Sequence, residues 1–280
     1  MGPLYVCATP IGNLGDITVR ALEVLRKVDL ILAEDTRQVR KLLQHYGIDV
    51  PVESYQEHNH RQKLPGILAR LQEGQALALV SDAGTPGVSD PGQELVEALW
   101  QAGGEVIPLP GPSALTAALS ICGLAVDQFV FTGFLPKKAG EREGILEQIK
   151  ASGWGAVIYE SPHRIEATLA SLHKVWPQSR VALLRELTKI YEEVLRGRPA
   201  EILEELNRRP RKGEMVLVIE KAQTEKVPIP DGEQIKGLVK DYMVEGMDKK
   251  RAIKEVAQKL GISKRIVYRA ALHLPAKEDP

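Results

Sequence analysis

Three glycine- and proline-rich stretches carry the chemical signal of this chain: Thr9-Pro10-Ile11-Gly12-Asn13-Leu14-Gly15-Asp16, then Ser81-Asp82-Ala83-Gly84-Thr85-Pro86-Gly87-Val88-Ser89-Asp90-Pro91-Gly92, then Pro108-Leu109-Pro110-Gly111-Pro112-Ser113-Ala114. Each sits at the end of a short apolar run that reads as a strand. Glycine lets a main chain approach a ligand closely, and the start of a following helix offers unpaired N–H groups to a carboxylate or phosphate. Phe134-Leu135-Pro136 closes a further apolar run in the same way. Any one of these is an ordinary tight turn when taken alone, because Gly, Pro, Asp and Ser dominate turns. Together, at corresponding strand ends, they mark the place where open α/β sheets build ligand sites. None fits G-x-G-x-x-G or G-x-x-x-x-G-K-[ST], so a dinucleotide fold or a P-loop finds no support.

Ionisable groups gather in two short motifs at predicted strand ends, Ala33-Glu34-Asp35-Thr36-Arg37 and Arg185-Glu186-Leu187-Thr188-Lys189. Such groups can orient a hydroxyl or grip a phosphate, but Glu34, Asp35 and Arg37 equally suit a helix cap with charges paired among themselves. His163 and Arg164, after Ser161-Pro162, divide in the same way between a helix start and a substrate contact. His58 and His60 lack a third ligand nearby and read as solvated loop residues. Cys7 and Cys122 have no metal-ligand spacing and suit a reducing compartment, so no metal is expected.

The elements that must position these residues follow from the apolar pattern. Short apolar runs alternate with helix-period segments from Leu4 to about Ile121, beginning with Leu4–Ala8, Val19–Val28 and Leu30–Ala33. That alternation indicates an α/β domain with a largely parallel sheet. A second series, including Phe129–Thr132, Ala156–Tyr159, Val181–Leu184 and Met215–Ile219, indicates a second α/β domain. The expected division is an N-terminal domain over 1–122, a second domain over 123–221 and a proline-closed linker over 222–231. A helical module follows over 232–280. Helix-period segments Lys249–Leu260 and Lys264–Leu274 flank Gly261-Ile262-Ser263, a Gly stop followed by a Ser able to cap the next helix. Ile253, Val256, Leu260, Ile262, Val267 and Leu272 are expected to form one small core, in the manner of a helix-turn-helix. Its basic residues Lys249, Lys250, Arg251, Lys264, Arg265 and Arg269 are candidate phosphate contacts, as is the run Arg208-Arg209 with Arg211-Lys212. The other reading packs the module on the core or on a second subunit.

The chain has 280 residues, enough for two or three compact units, with 44% hydrophobic and 26% charged residues. Its 37 basic and 37 acidic residues cancel, so a nucleic-acid partner must be drawn by local basic patches and not by the field of the whole molecule. No apolar run approaches the ~20 residues needed to cross a bilayer, and no signal-type segment opens the chain. No membrane association is expected, and the expected location is the cytoplasm.

The phrases Thr9–Asp16, Ala33–Arg37, Ser81–Gly92, Pro108–Ala114, Tyr159-Glu160-Ser161-Pro162-His163-Arg164, Arg185–Lys189 and Gly213-Glu214-Met215-Val216-Leu217-Val218-Ile219 resemble those of the ribosomal RNA small subunit methyltransferase I family, within the tetrapyrrole methylase superfamily. The likeness runs from Leu4 to Glu220 and continues more loosely through the C-terminal helices. It implies two α/β domains with S-adenosylmethionine held between them, methyl transfer to the ribose 2′-oxygen of a cytidine in 16S rRNA of the small ribosomal subunit, and a homodimer. Carried over by position, the first loop gives Pro10, Ile11 and Gly12 as cofactor contacts, the second Asp82, Ala83 and Gly84, and the third Ser113 and Ala114. Glu160 and Met215 fall on the closing wall. The superfamily's second loop usually reads Gly-Asp-Pro, whereas this chain has Ser81-Asp82-Ala83-Gly84. For the transfer itself the candidates are Asp35 or Glu186 to orient the hydroxyl, and Arg37 or Lys189 to hold a phosphate, with a carboxylate or a lysine of lowered pKa as general base. One alternative replaces RNA with a porphyrin-like small molecule, against which the basic C-terminal module argues. A non-enzymatic alternative is a ligand-sensing regulator that binds duplex DNA.

Overall fold

A computed structural model describes residues 1–56, 58–90, 92–209, 212–222, 231–260 and 262–272. The chain forms two compact units, Met1–Ala222 and Gln223–Pro280. Within the first, the expected two α/β layers are present. Strands β1 (Leu4–Cys7), β2 (Leu30–Ala33), β3 (Val52–Ser54), β4 (Leu77–Val80) and β5 (Val106–Leu109) form a parallel sheet in the order β3-β2-β4-β1-β5. β2 and β4 are buried along their whole length, which is why they read as unbroken apolar runs. One face packs on α1 (Val19–Leu25) and α2 (Thr36–His45) through Ala21, Leu25, Val39, Leu42 and Leu43. The other packs on α3 (His60–Gln72) and α4 (Gln93–Gln101) through Ile67, Leu71, Leu95 and Leu99. Because every strand runs the same way, the loops after β1, β2, β4 and β5 all emerge at one edge.

The second sheet is mixed: β6 (Phe129–Phe134), β7 (Gly155–Glu160), β8 (Val181–Arg185), β9 (Glu193–Gly197) and β10 (Met215–Ile219) take the order β6-β7-β10-β8-β9. Only β6 and β7 run parallel; β10 is antiparallel to both β7 and β8, and β8 to β9. One face is covered by α6 (Ala139–Ser152), α7 (Ile165–Val175) and α8 (Pro199–Arg208). Opposite it lies α5 (Ala114–Ile121), together with Ile11 from the first loop. The two sheets are therefore joined by a shared apolar core, in which Ile11 and Ala118 meet Val157, Leu184 and Val216. Helix α5 follows the last strand of the first sheet in sequence and belongs to the second sheet by packing.

In the C-terminal unit α9 (Gly232–Val244), α10 (Lys249–Leu260) and α11 (Lys264–Ala270) enclose Ile235, Val239, Ala252, Ile253, Val256, Ala257, Val267 and Ala271. Asp231 starts α9 with a capping box: its carboxylate accepts from the Gln234 N–H at 2.8 Å and the Gln234 side chain accepts in return at 3.1 Å. The expected core needs one correction, since Leu272 is 51% exposed. Helix α11 ends at Ala270, so Leu272 has turned away from the helical stripe. Ser263 stands at the cap position of α11, but its hydroxyl makes no capping bond. The linker prolines, Gly261 and residues beyond 272 lie outside the described residues, as does Arg211.

Leu217 sits at the centre of β10, fully buried and paired with both Ile158 and Leu183. Leu217→Ala removes that contact layer and is expected to cost about 2–5 kcal/mol. The urea midpoint of the full chain reads this, and an unshifted midpoint contradicts the packing described.

Candidate functional site

The three glycine-rich loops meet at Gly84. Thr9 and Gly84 exchange two backbone hydrogen bonds, the Thr9 N–H donating to the Gly84 carbonyl at 2.8 Å and the Gly84 N–H to the Thr9 carbonyl at 3.0 Å. The Thr9 hydroxyl donates to the Ser81 carbonyl at 3.1 Å, and the Thr85 hydroxyl to the Pro112 carbonyl at 3.3 Å, so the second loop is tied to the first and the third. Gly84 has φ of +84°, and a Cβ there would press on Ile11 Cγ2 at 3.4 Å, with Ser113 Cα at 4.0 Å. Only glycine adopts this conformation without strain, so the crossing of the loops is written into one residue.

Below this crossing lies a cleft of about 650 Å³. Ile11, Asp82, Ala83, Gly84, Ser113 and Ala114 form its first wall, joined by Glu34, Thr85, Val88, Ser89 and Asp90. The second wall comes from the ends of β6, β7, β8 and β10: Phe134, Tyr159, Glu160, Leu187, Met215 and Val216. The walls are held in register by specific contacts. The Leu115 N–H, at the start of α5, donates to the Tyr159 hydroxyl at 3.2 Å. Ser89, at φ of +69°, lies against Gly133, where a Cβ would come within 2.8 Å of its hydroxyl. Gly133 itself follows a register shift in β6 and has φ of +60°.

The expected charged residues fall into two groups. Glu186 and Lys189 line the cleft. Lys189 Nζ donates to Glu186 at 2.9 Å and to Glu214 at 3.1 Å, while the Glu214 N–H donates to the same Glu186 oxygen at 3.0 Å. Burial alone would raise the Glu186 carboxyl, but the bonds from Lys189 and the Glu214 backbone outweigh it and hold it below the usual range. Burial likewise disfavours the Lys189 ammonium, and its two carboxylate partners reverse the sign, so its pKa is raised. Lys189 is thus a fixed cation and not a lysine of lowered pKa. Its stem covers Gly12, where a Cβ would come within 2.4 Å of Lys189 Cγ. Glu186 and Thr188 also adopt left-handed backbone, at φ of +53° and +67°. With Ser89 they place all three non-glycine residues of positive φ among the described residues at or beside this cleft.

Asp35 and Arg37 are not among the residues lining the cleft; their neighbour Glu34 is. Asp35 caps α2, accepting from the Arg37 N–H at 2.8 Å and pairing with the Arg37 guanidinium at 2.7 Å. That guanidinium holds the half-buried Asp35 carboxyl down at about 2. The Asp35 N–H in turn donates to Asp82 at 2.7 Å, which links this cap to the second loop. Pro10 and Gly12 flank Ile11 without lining the cleft. Glu160 is buried, accepts from Thr168 at 2.7 Å and from the Ser161 N–H at 2.9 Å, and pairs with Arg164 at 3.3 Å. Arg164 also donates to the Leu135 carbonyl, so it braces the wall at the start of α7. His163 is exposed beside it. Lys250, Arg251, Lys264, Arg265 and Arg269 are exposed on the C-terminal unit, and Lys249 is half-buried. His60 does not stand in a solvated loop: it begins α3, with Nε2 2.9 Å from Glu94. Among the described residues no group of three or more His, Cys, Asp or Glu could hold a metal ion.

Asp90 was not singled out by sequence reasoning. It is half-buried in the cleft with its carboxyl pushed up to about 7, first by burial and then by Glu34 and Asp82, against a hydrogen bond from Ser81. The only hint in the sequence is an acidic residue inside the second glycine-rich stretch. Its neighbours are brought to it by β2 and β4 and cannot be read from spacing.

Residues 3–203 match the Tetrapyrrole (Corrin/Porphyrin) Methylases family. Solved structures of a cobalt precorrin-4 methyltransferase and of the methyltransferase CobJ share the fold, with TM-scores of 0.59 and 0.61 at 17% and 19% identity. They cover 77% and 79% of this chain and 94% and 95% of their own. Much nearer in sequence is a protein of Synechocystis named ribosomal RNA small subunit methyltransferase I, 46% identical over 99% of both chains. Proteins of the same name from Escherichia coli O157:H7 and Bacillus subtilis are 46% and 41% identical over 97% and 96% of this chain, and 95% and 94% of theirs. Identity of this order over nearly the whole of each chain makes this chain a member of the ribosomal RNA small subunit methyltransferase I family.

Proposed function

We propose that the protein transfers a methyl group from S-adenosylmethionine to the ribose 2′-oxygen of a cytidine in 16S rRNA, acting on the small ribosomal subunit. The observation that carries this reading is the cleft itself, with three peptide loops converging at Gly84 inside a chain whose full-length relatives bear the rRNA methyltransferase name. A volume of about 650 Å³ lies within the usual range for a small-molecule site, roughly 300–1,000 Å³. The lining fits the donor. Ile11, Leu187, Met215 and Val216 offer an apolar slot for a flat ring, while Glu34 and Asp82 make the first wall acidic, as a sulfonium and an ammonium require. Gly84 lets the main chain come close where a side chain would obstruct.

When bound, the donor supplies a methyl group on positive sulfur, open to in-line displacement. The residues of the chain then have to align a sugar hydroxyl and exclude water, since no covalent intermediate with the protein is needed. Ile11, Asp82, Ala83, Gly84, Ser113 and Ala114 hold the donor from the first wall, with Pro10 and Gly12 setting the course of the first loop behind them, and Glu160 and Met215 close it from the second. Lys189 stays charged at neutral pH and holds an RNA phosphate at the mouth, with Glu186 fixing its direction. Arg37, whose side chain is 83% exposed, extends that basic contact at the rim, and Asp35 orients it. Lys249, Lys250, Arg251, Lys264, Arg265 and Arg269 bind phosphates of the folded particle without reading sequence. The protein works in the cytoplasm as a homodimer.

The reading is tested with methyl-labelled donor and purified small subunits. Label is expected in alkali-resistant dinucleotides, because a methylated 2′-oxygen cannot assist cleavage of its own phosphodiester. Label released in mononucleotides, or found only in a tetrapyrrole precursor offered in parallel, contradicts it. Asp82→Ala is expected to weaken donor binding about 10-fold or more in calorimetry, the scale of a charged hydrogen bond. Unchanged affinity rejects that contact. Lys189→Ala is expected to keep donor affinity within a few-fold and to slow transfer roughly 10- to 100-fold. Normal turnover removes Lys189 from the reaction centre.

A further inference from the structure

The proposed reaction leaves one task unassigned: the ribose hydroxyl must lose a proton as its oxygen attacks. The carboxylates first considered for contact with the hydroxyl, Asp35 and Glu186, are engaged elsewhere, and so is Glu160 on the second wall. Asp35 caps α2 and pairs with Arg37, Glu186 is locked between Lys189 and the Glu214 N–H, and Glu160 is bonded to Thr168, Ser161 and Arg164. Asp90 differs from them in its partners. It lines the same cleft as Gly84 and Ser113, is half-buried, and no cation is among the groups that set its carboxyl.

Its placement is enforced by backbone that costs energy. Ser89, immediately before it, takes a left-handed conformation that a non-glycine residue adopts only at a cost. That residue is pressed against Gly133, where any side chain would collide with the Ser89 hydroxyl. Two backbone features, one in the loop after β4 and one in β6, thus fix the point from which the Asp90 side chain enters the cleft. We propose that Asp90 is the catalytic base that accepts the proton of the methylated hydroxyl, an inference that rests on the RNA-methylating reading of the cleft.

In the step, the hydroxyl oxygen forms a bond to the methyl carbon while the carbon–sulfur bond breaks, its electron pair passing to sulfur and leaving a neutral thioether. The O–H proton moves to the Asp90 carboxylate, which returns it to water before the next cycle. Charge balances: the sulfonium loses its positive charge and the carboxylate its negative one. The groups facing Asp90 suit this task. Burial, Glu34 at the end of β2 and Asp82 after β4 all favour its protonated form, to about 7, and Ser81 opposes them. Tyr159 on β7 feels the Asp90 charge from the opposite wall. Lys189, the cation lining the cleft, is occupied by Glu186 and Glu214. A base poised near working pH transfers protons most effectively, and such groups contribute typically 10²–10⁴-fold.

The test compares wild type, Asp90→Asn and Asp90→Glu on small subunits at saturating donor, from below pH 6 to above pH 8. Wild-type transfer is expected to rise with pH through a single limb centred at or below about 7, since a nearby sulfonium lowers the carboxyl further. Asp90→Asn should fall about 100-fold or more and lose the limb, Asp90→Glu should recover part of the rate with the limb, and both should bind S-adenosylhomocysteine within threefold of wild type. Carbon-13 carboxyl spectra of aspartate-labelled protein supply a reading independent of turnover: one resonance should titrate near 7 and be absent from Asp90→Asn. Wild-type-like turnover in Asp90→Asn, a limb that survives the substitution, or loss of S-adenosylhomocysteine affinity in place of turnover overturns the assignment. Wild-type protein that leaves small subunits unlabelled overturns the RNA reading instead, so the two failures are distinguishable.

Discussion

The site depends on two hydrogen bonds between main chains that are 75 residues apart. Thr9 and Gly84 pair reciprocally, and this bridge sets the first and second loops side by side above the strands that carry them. Each bond contributes only about 0.5–1.5 kcal/mol net. Their importance lies in geometry: with Gly84 left-handed, the second loop turns across Ile11 and Ser113 and leaves a peptide-lined crevice instead of a packed core. The parallel order of the first sheet makes the encounter possible, because β4, β1 and β5 are adjacent and end at the same edge.

From that crossing the rest of the cleft follows. Ile11 continues past the loop into the apolar core under the second sheet, alongside Ala118 of α5, so the loop that cradles one wall also anchors the other. Beside it the Lys189 stem lies over Gly12, and Glu186 and Glu214 hold the lysine in a fixed direction. Charge is then divided between the walls. The first wall gathers Glu34, Asp82 and Asp90 and raises Asp90, whereas the second pairs its carboxylates with Lys189 and Arg164. Carboxylates dominate the first wall, and on the second the cations offset them.

Much of this was legible in the sequence where a residue type has a single physical use. Glycine at strand ends disclosed all three loops, and Ile11, Asp82, Ala83, Gly84, Ser113 and Ala114 do line one cleft. The capping alternative for Asp35 was equally visible, and the structure shows the cap formed. What spacing could not disclose was anything set by a distant neighbour. Asp90 looks like one more polar residue in a turn until β2 and β4 bring Glu34 and Asp82 beside it. Gly12 reads as a ligand contact, and only the fold reveals the Lys189 stem above it. Edge strands β3 and β9 escaped notice because Val52-Glu53-Ser54 and Glu193–Gly197 carry no apolar run, being half-exposed. Leu272 was placed in a core by helical periodicity, which lapses once α11 stops at Ala270.

The most direct measurement is a crystal structure of the protein with S-adenosylhomocysteine. The account predicts the ligand in the cleft, with main-chain contacts from the Asp82–Gly84 and Ser113–Ala114 loops, its ring against Met215 and Val216, and its sulfur facing the Asp90 carboxyl. Ligand bound at another surface, or a cleft that stays closed by its own side chains at saturating ligand, contradicts it.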